Sequence, residues 1–190
     1  STGCGVDTRA LERTAYDVMV GDCEIQDALV SPERLAFDLL PSNGDLGAAE
    51  FELMTHEGRE FILRDALESV APRYGWIIID TPPNLGVLTQ NALVAANYVL
   101  IPTPCTGLAV PALRQLTAVI DKIKERQNTW LQIIGVLMTL KDGRTPLLKN
   151  VRRELGQVQV VVRGDVEVRV PACFDEDVLV RLVEALRARC

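Results

Sequence analysis

Apolar residues arrive along this chain in two rhythms. Over 59–70, Phe61, Ile62, Ala66, Leu67 and Val70 recur at helical spacing, which predicts a helix with one buried face. The same rhythm predicts helices over 11–19, 46–54 and 88–96. It also predicts a long one over 108–126, striped by Leu113, Leu116, Ile120 and Ile123. Between them stand unbroken apolar runs: Trp76-Ile77-Ile78-Ile79, Tyr98-Val99-Leu100-Ile101 and Ile133-Ile134-Gly135-Val136-Leu137. A run without alternation suits a strand covered on both faces, as in a parallel sheet between helices. The sequence therefore predicts strands at 76–80, 98–102 and 131–140. A further strand is expected at Leu35–Pro41, ended by its proline. Strands alternating with helices predict an α/β class with a doubly wound, mostly parallel sheet.

The rhythm changes after Gly156. Two alternating stretches flank Arg163-Gly164-Asp165 and predict a β-hairpin. Phe174-Asp175-Glu176-Asp177 then caps a final helix over 178–189. The expected organisation is an α/β domain over 1–156 and a ββα tail over 157–190.

Composition narrows the function classes. The 190 residues are 48% hydrophobic and 24% charged, which is ordinary for a chain with a real core. The net charge of −6 argues against coating nucleic acid by bulk attraction, so any DNA contact must be local. The five cysteines, Cys4, Cys23, Cys105, Cys173 and Cys190, are odd in number and far apart, which suits a reducing cytosol better than a disulfide framework. His56 is the single histidine, in a polar loop, so histidine catalysis is not expected. No signal peptide and no membrane span are expected either.

The chemistry concentrates where the first apolar run ends. Asp80 is expected at the carboxyl end of the 76–80 strand, the edge where open α/β sheets bind ligands. Pro82-Pro83 turns the chain away there. A lone carboxylate at such a tip suits Mg²⁺ held through water beside a nucleotide phosphate. The bland alternative is a strand followed by an Asp-Thr turn. A second feature is basic: Lys141, Arg144, Lys149, Arg152 and Arg153 stand against only Asp142 over 141–153. That is either a solvated helix face or a phosphate-binding surface.

The segment Asp80-Thr81-Pro82-Pro83-Asn84-Leu85-Gly86-Val87-Leu88-Thr89-Gln90-Asn91-Ala92-Leu93 resembles the Walker B region of the ParA/Soj partition ATPases. So do Leu46-Gly47-Ala48-Ala49-Glu50-Phe51-Glu52-Leu53 and Leu140-Lys141-Asp142-Gly143-Arg144-Thr145 in their own places. The resemblance runs from Ser1 to about Gly156. It implies a P-loop NTPase-like fold, ATP and Mg²⁺ as cofactors, a nucleotide-dependent dimer, non-specific DNA binding and a ParB-like partner protein. It makes Asp80 the catalytic, magnesium-side carboxylate and puts Thr81 beside the nucleotide. It places DNA contacts at Arg144 and, around it, Lys141, Lys149, Arg152 and Arg153. It implies a cytoplasmic, nucleoid-associated location.

The pattern also departs from the family. No G-x-x-x-x-G-K-[ST] loop occurs in the 190 residues, and no lysine precedes Lys122. Ser1-Thr2-Gly3-Cys4-Gly5-Val6 resembles a segment from inside the family domain, which leads to the expectation of an N-terminal truncation. The family's glutamate and tyrosines are replaced by Thr106-Gly107-Leu108-Ala109-Val110. The tail from Val158 resembles accessory proteins of insertion sequences. The chain alone is therefore expected neither to bind ATP tightly nor to hydrolyse it. The alternative is a non-catalytic interaction or mobile-element accessory protein on the same scaffold. A MinD-like membrane relative is disfavoured by the short, weakly apolar C-terminus.

Overall fold

The computed structural model describes residues 6–7, 10–33, 36–104, 109–139, 158–163 and 166–171. At 104, 109–110, 137–139 and beyond it describes the backbone only. Two compact units emerge, Ser1–Asn97 with Ile120–Leu131, and Tyr98–Val119 with Gln132–Cys190.

The first unit is helical. Helix α1, Ala15–Val20, starts at Thr14, whose hydroxyl accepts from Tyr16 N at 3.3 Å. Asp17 reaches back and accepts from Thr14 N at 2.7 Å, closing a capping box. Gly21, at φ 86, supplies the left-handed C-cap. The neighbours Val18 and Met19 enter different clusters. Val18 joins Ile25 and Ala28 of α2 (Ile25–Ala28) and Val70. Met19 joins Ala49 and Leu53. Those two lie on α3 (Leu46–Glu52) and the 3₁₀ turn Leu53–Thr55 that extends it. Next come α4, Ile62–Glu68, and α5, Val87–Ala95. Helix α5 is apolar nearly all round and buries Thr89, Asn91, Ala92, Leu93 and Val94, so it is an interior helix.

The second unit holds the sheet. Strands β1, Tyr98–Pro104, and β2, Gln132–Thr139, pair in parallel. Their register slips by one residue between Val99 and Leu100, since Val99 faces Ile133 and Leu100 faces Gly135. Helix α6, Ala109–Arg126, connects them in sequence and gives a βαβ order. The hairpin forms as expected, with β3 over Val158–Arg163 and β4 over Val166–Pro171. Arg163 pairs with Val166, which makes the connection two residues, Gly164-Asp165. The hairpin is not isolated. Strand β4 adds antiparallel to β2, so the order is β1-β2-β4-β3. Prolines 102 and 104 are tolerated because β1 is an edge strand of this sheet.

Two expected strands are corrected. Residues 76–80 carry no strand, and Trp76, Ile77 and Ile78 are 41%, 40% and 55% exposed. A four-residue apolar run becomes a buried strand only when neighbours supply ladder bonds and layers cover both faces. Among the described residues no strand pairs with it. Over 35–41, the described residues hold a single antiparallel bridge, Val30 to Leu39, with N···O distances of 2.9 and 2.8 Å. The chain then passes to buried Pro41, whose carbonyl accepts from Ala15 N at 2.7 Å and serves the start of α1 instead of a ladder. The expected terminal helix over 178–189 and the glycine-rich start at 1–5 lie outside the described residues.

Candidate functional site

Asp80 and Thr81 are both exposed, at the end of the unpaired 76–80 stretch. The chain next turns through Pro82-Pro83-Asn84 into α5, whose N-cap is Gly86. This turn is fastened at Asn84. The buried Thr89 hydroxyl donates to Asn84 O at 2.6 Å and, more weakly, to Pro82 O at 3.5 Å. The Asn84 amide donates to both carboxylate oxygens of Glu50 on α3, at 3.4 and 3.3 Å. The same carboxylate lies against Gly86, where a Cβ would overlap Oε1 and stand 2.8 Å from Cδ.

Helix α5 is itself anchored at both ends. Asn91 is 0% exposed, and its Nδ2 donates to Arg59 O at 2.7 Å and Val87 O at 3.0 Å. Its Oδ1 accepts from Leu63 N at 3.0 Å, which fixes the start of α4. Asn128 Nδ2 serves the carbonyls of Leu93, Val94 and Ala96 at 3.1, 3.0 and 2.7 Å, the orphan acceptors at the C-terminus of α5. Asp80 is thus displayed at the mouth of a turn held by the part-buried Thr89–Asn84 bond and the exposed Asn84–Glu50 bonds.

The sequence reading assigned Asp80 and Thr81 and gave no role to Glu50, Thr89, Asn91 or Asn128. The available signal was polar residues set in apolar helices, Thr89 and Asn91 above all. The basic residues Lys141, Arg144, Lys149, Arg152 and Arg153 lie outside the described residues. An open depression of about 350 Å³ adjoins the exposed Arg13–Asp27 ion pair (3.2 Å), and Asp80 and Thr81 do not line it.

The fit to magnesium and a nucleotide divides in two. A single exposed carboxylate suits one end of a hydrated Mg²⁺, which keeps several waters and takes further oxygens from phosphates. Among the described residues no group of three or more His, Cys, Asp or Glu could hold an ion without such help. The phosphate side does not fit. Binding phosphates calls for backbone N–H groups at a glycine-rich helix start and a lysine, and the sequence contains no such loop.

Comparison with known proteins gives a consistent picture. A family model described as an AAA domain matches residues 1–133. The chromosome partitioning protein ParA of Myxococcus xanthus is 41% identical over 154 residues, which is 81% of this chain and 54% of that protein. ParA of Caulobacter vibrioides is 36% identical over 187 residues, 94% of this chain and 70% of that protein. Among solved structures, cobyrinic acid a,c-diamide synthase from Mycobacterium smegmatis, with bound ADP and magnesium, superposes with a TM-score of 0.77 at 34% identity. The match covers 85% of this chain and 67% of that one. The chain thus spans a little over half the length of the Myxococcus relative and about two thirds of the other two. On its α/β fold, its Asp80 loop and these matches, the chain belongs to the ParA family of partition ATPases.

Proposed function

We propose that this chain serves DNA segregation as a ParA-type partition component, with Asp80 as the magnesium-side carboxylate and Thr81 beside the nucleotide. The observation that carries the reading is the exposed Asp80 on a turn whose Asn84 is tied to Thr89 at 2.6 Å. A carboxylate on a braced turn meets a hydrated cation without having to order a loop first. Asp80 would hold such a cation through water, and the charge neutralisation a bound Mg²⁺ would supply needs phosphates that this chain has no loop to cradle. Because the sequence holds no phosphate cradle, no hydrolytic step is assigned to this chain alone. Titration calorimetry with Mg-ATP on the 190-residue chain is expected to give no micromolar binding. Micromolar binding would show that a phosphate site exists, and phosphate release that disappears in Asp80→Ala would show in addition that the chain hydrolyses ATP unaided.

The DNA-facing surface we assign to 141–153. Lys141, Arg144, Lys149, Arg152 and Arg153 form the one markedly basic stretch of an acidic chain. Their contacts would be to phosphates, independent of sequence and weakened by salt through counterion release. Arg144→Ala should lower DNA retention at low salt, and unchanged retention would remove the assignment. Self-association, a ParB-like partner and a cytoplasmic location complete this reading. A second reading, a non-catalytic interaction or accessory protein, is favoured by the missing Gly-Lys loop alone. It predicts no DNA retention at any salt concentration.

A further inference from the structure

We propose that Glu50 is a positioning residue for the Asp80 turn, and that position 86 is glycine to seat its carboxylate. The usual reason for a glycine does not apply there. Gly86 has φ −79 and ψ −169, extended backbone open to any residue. What a side chain would meet is the Glu50 carboxylate, whose Oε1 would overlap a Cβ and whose Cδ lies 2.8 Å from the place of one, so it would have to move aside. The carboxylate therefore rests on the N-cap of α5, where the helix presents unpaired N–H groups and positive dipole. From that seat both of its oxygens receive the Asn84 amide, at 3.4 and 3.3 Å. Asn84 is consequently held from two sides. Its carbonyl is fixed by Thr89 on α5, and its side chain by Glu50 on α3, 34 residues away in sequence. The turn from Asp80 to Gly86 is clamped between two helices, and its shape depends on Glu50, which lies outside the turn on α3.

The Asp80 part of this inference rests on the proposed function, and the clamp itself does not, so the test is run without nucleotide. Amide hydrogen exchange is followed by mass spectrometry on the full chain and on Glu50→Ala, Glu50→Gln, Gly86→Ala and the Glu50→Ala/Gly86→Ala double variant. Loss of one bracing interaction should speed exchange over 81–89 by about tenfold in Glu50→Ala, with peptides from β1 and β2 unchanged. Glu50→Gln keeps an acceptor oxygen and should restore most of the protection. Gly86→Ala evicts the carboxylate, so it should match Glu50→Ala, and the double variant should be no worse than either single change. Unchanged exchange over 81–89 in Glu50→Ala overturns the proposal. So does a double variant whose effects simply add, or acceleration spread evenly over the whole chain. Micromolar Mg-ATP binding would touch only the functional reading.

Discussion

Asn91 shows how much one buried amide can organise. It makes three hydrogen bonds at 2.7–3.0 Å while 0% exposed, each to a main-chain group. Asn91→Ala would leave Leu63 N and Arg59 O without it, at a cost of about 2–3 kcal/mol read from the urea midpoint. A loss under a few tenths of that would mean water replaces the amide. Asp38 acts differently. It accepts from the hydroxyls of Ser31 and Tyr74, and these bonds, Ser31 first, hold its carboxyl below the ordinary range. A carboxyl lowered by folding stabilises the fold above its unfolded value and loses that contribution as pH falls through the folded one. The Tyr74 hydroxyl is raised, first by its bond to Asp38, so its share persists below its unfolded value and is lost as pH rises through the folded one. Wild type should therefore lose stability more steeply than Asp38→Asn as pH falls below about 4. Parallel curves in urea titrations across that window would contradict this.

At the scale of elements, the same apolar pattern has two outcomes. Tyr98–Pro104 and Gln132–Thr139 became strands because each found the other. Residues 76–80 have equally strong apolar character and no ladder among the described residues, so their side chains stay partly in water. Ile78→Lys tests this directly. At a position 55% exposed it should change stability by no more than about 0.5 kcal/mol. A strand buried on both faces would lose about 3 kcal/mol or more from the same charge. The hairpin gives the opposite case. Strand β4 lies between β2 and β3, so a proline within it removes a ladder donor from the sheet interior. Val168→Pro, which faces Leu137, should cost about 2–4 kcal/mol and increase aggregation in sedimentation. An unaffected sheet would mean that the hairpin does not cover β2.

For the whole molecule, sheet edges and charge set the expectations. The β-hairpin covers the second edge of β2, while among the described residues β1 is paired on one side only, with its prolines blunting the other edge. In the first unit, Trp76, Ile77 and Ile78 are exposed apolar side chains of their own. Sedimentation velocity should show concentration-dependent association across the micromolar range, reduced in Ile78→Lys. A clean monomer throughout would count against the self-association proposed here. No helix among the described residues is long and apolar enough to cross a membrane.

The sequence by itself determined the α/β class, the two paired strands, most helices, the hairpin and the family. These follow from local periodicity and from short motifs such as Asp80-Thr81-Pro82-Pro83, which need no distant partner to be legible. Helix bounds shifted by only a few residues, as at α1, where Thr14 and Asp17 form a cap not read in advance. Tertiary structure decided what depends on residues far apart in sequence. It left 76–80 without a ladder, because a strand exists only with a neighbour. It joined Glu50 to Asn84 and Gly86, Asn91 to Leu63 and Asn128 to the end of α5. Each of those ties spans 28 residues or more, and periodicity, which relates a residue to neighbours within a few turns, cannot reach that far.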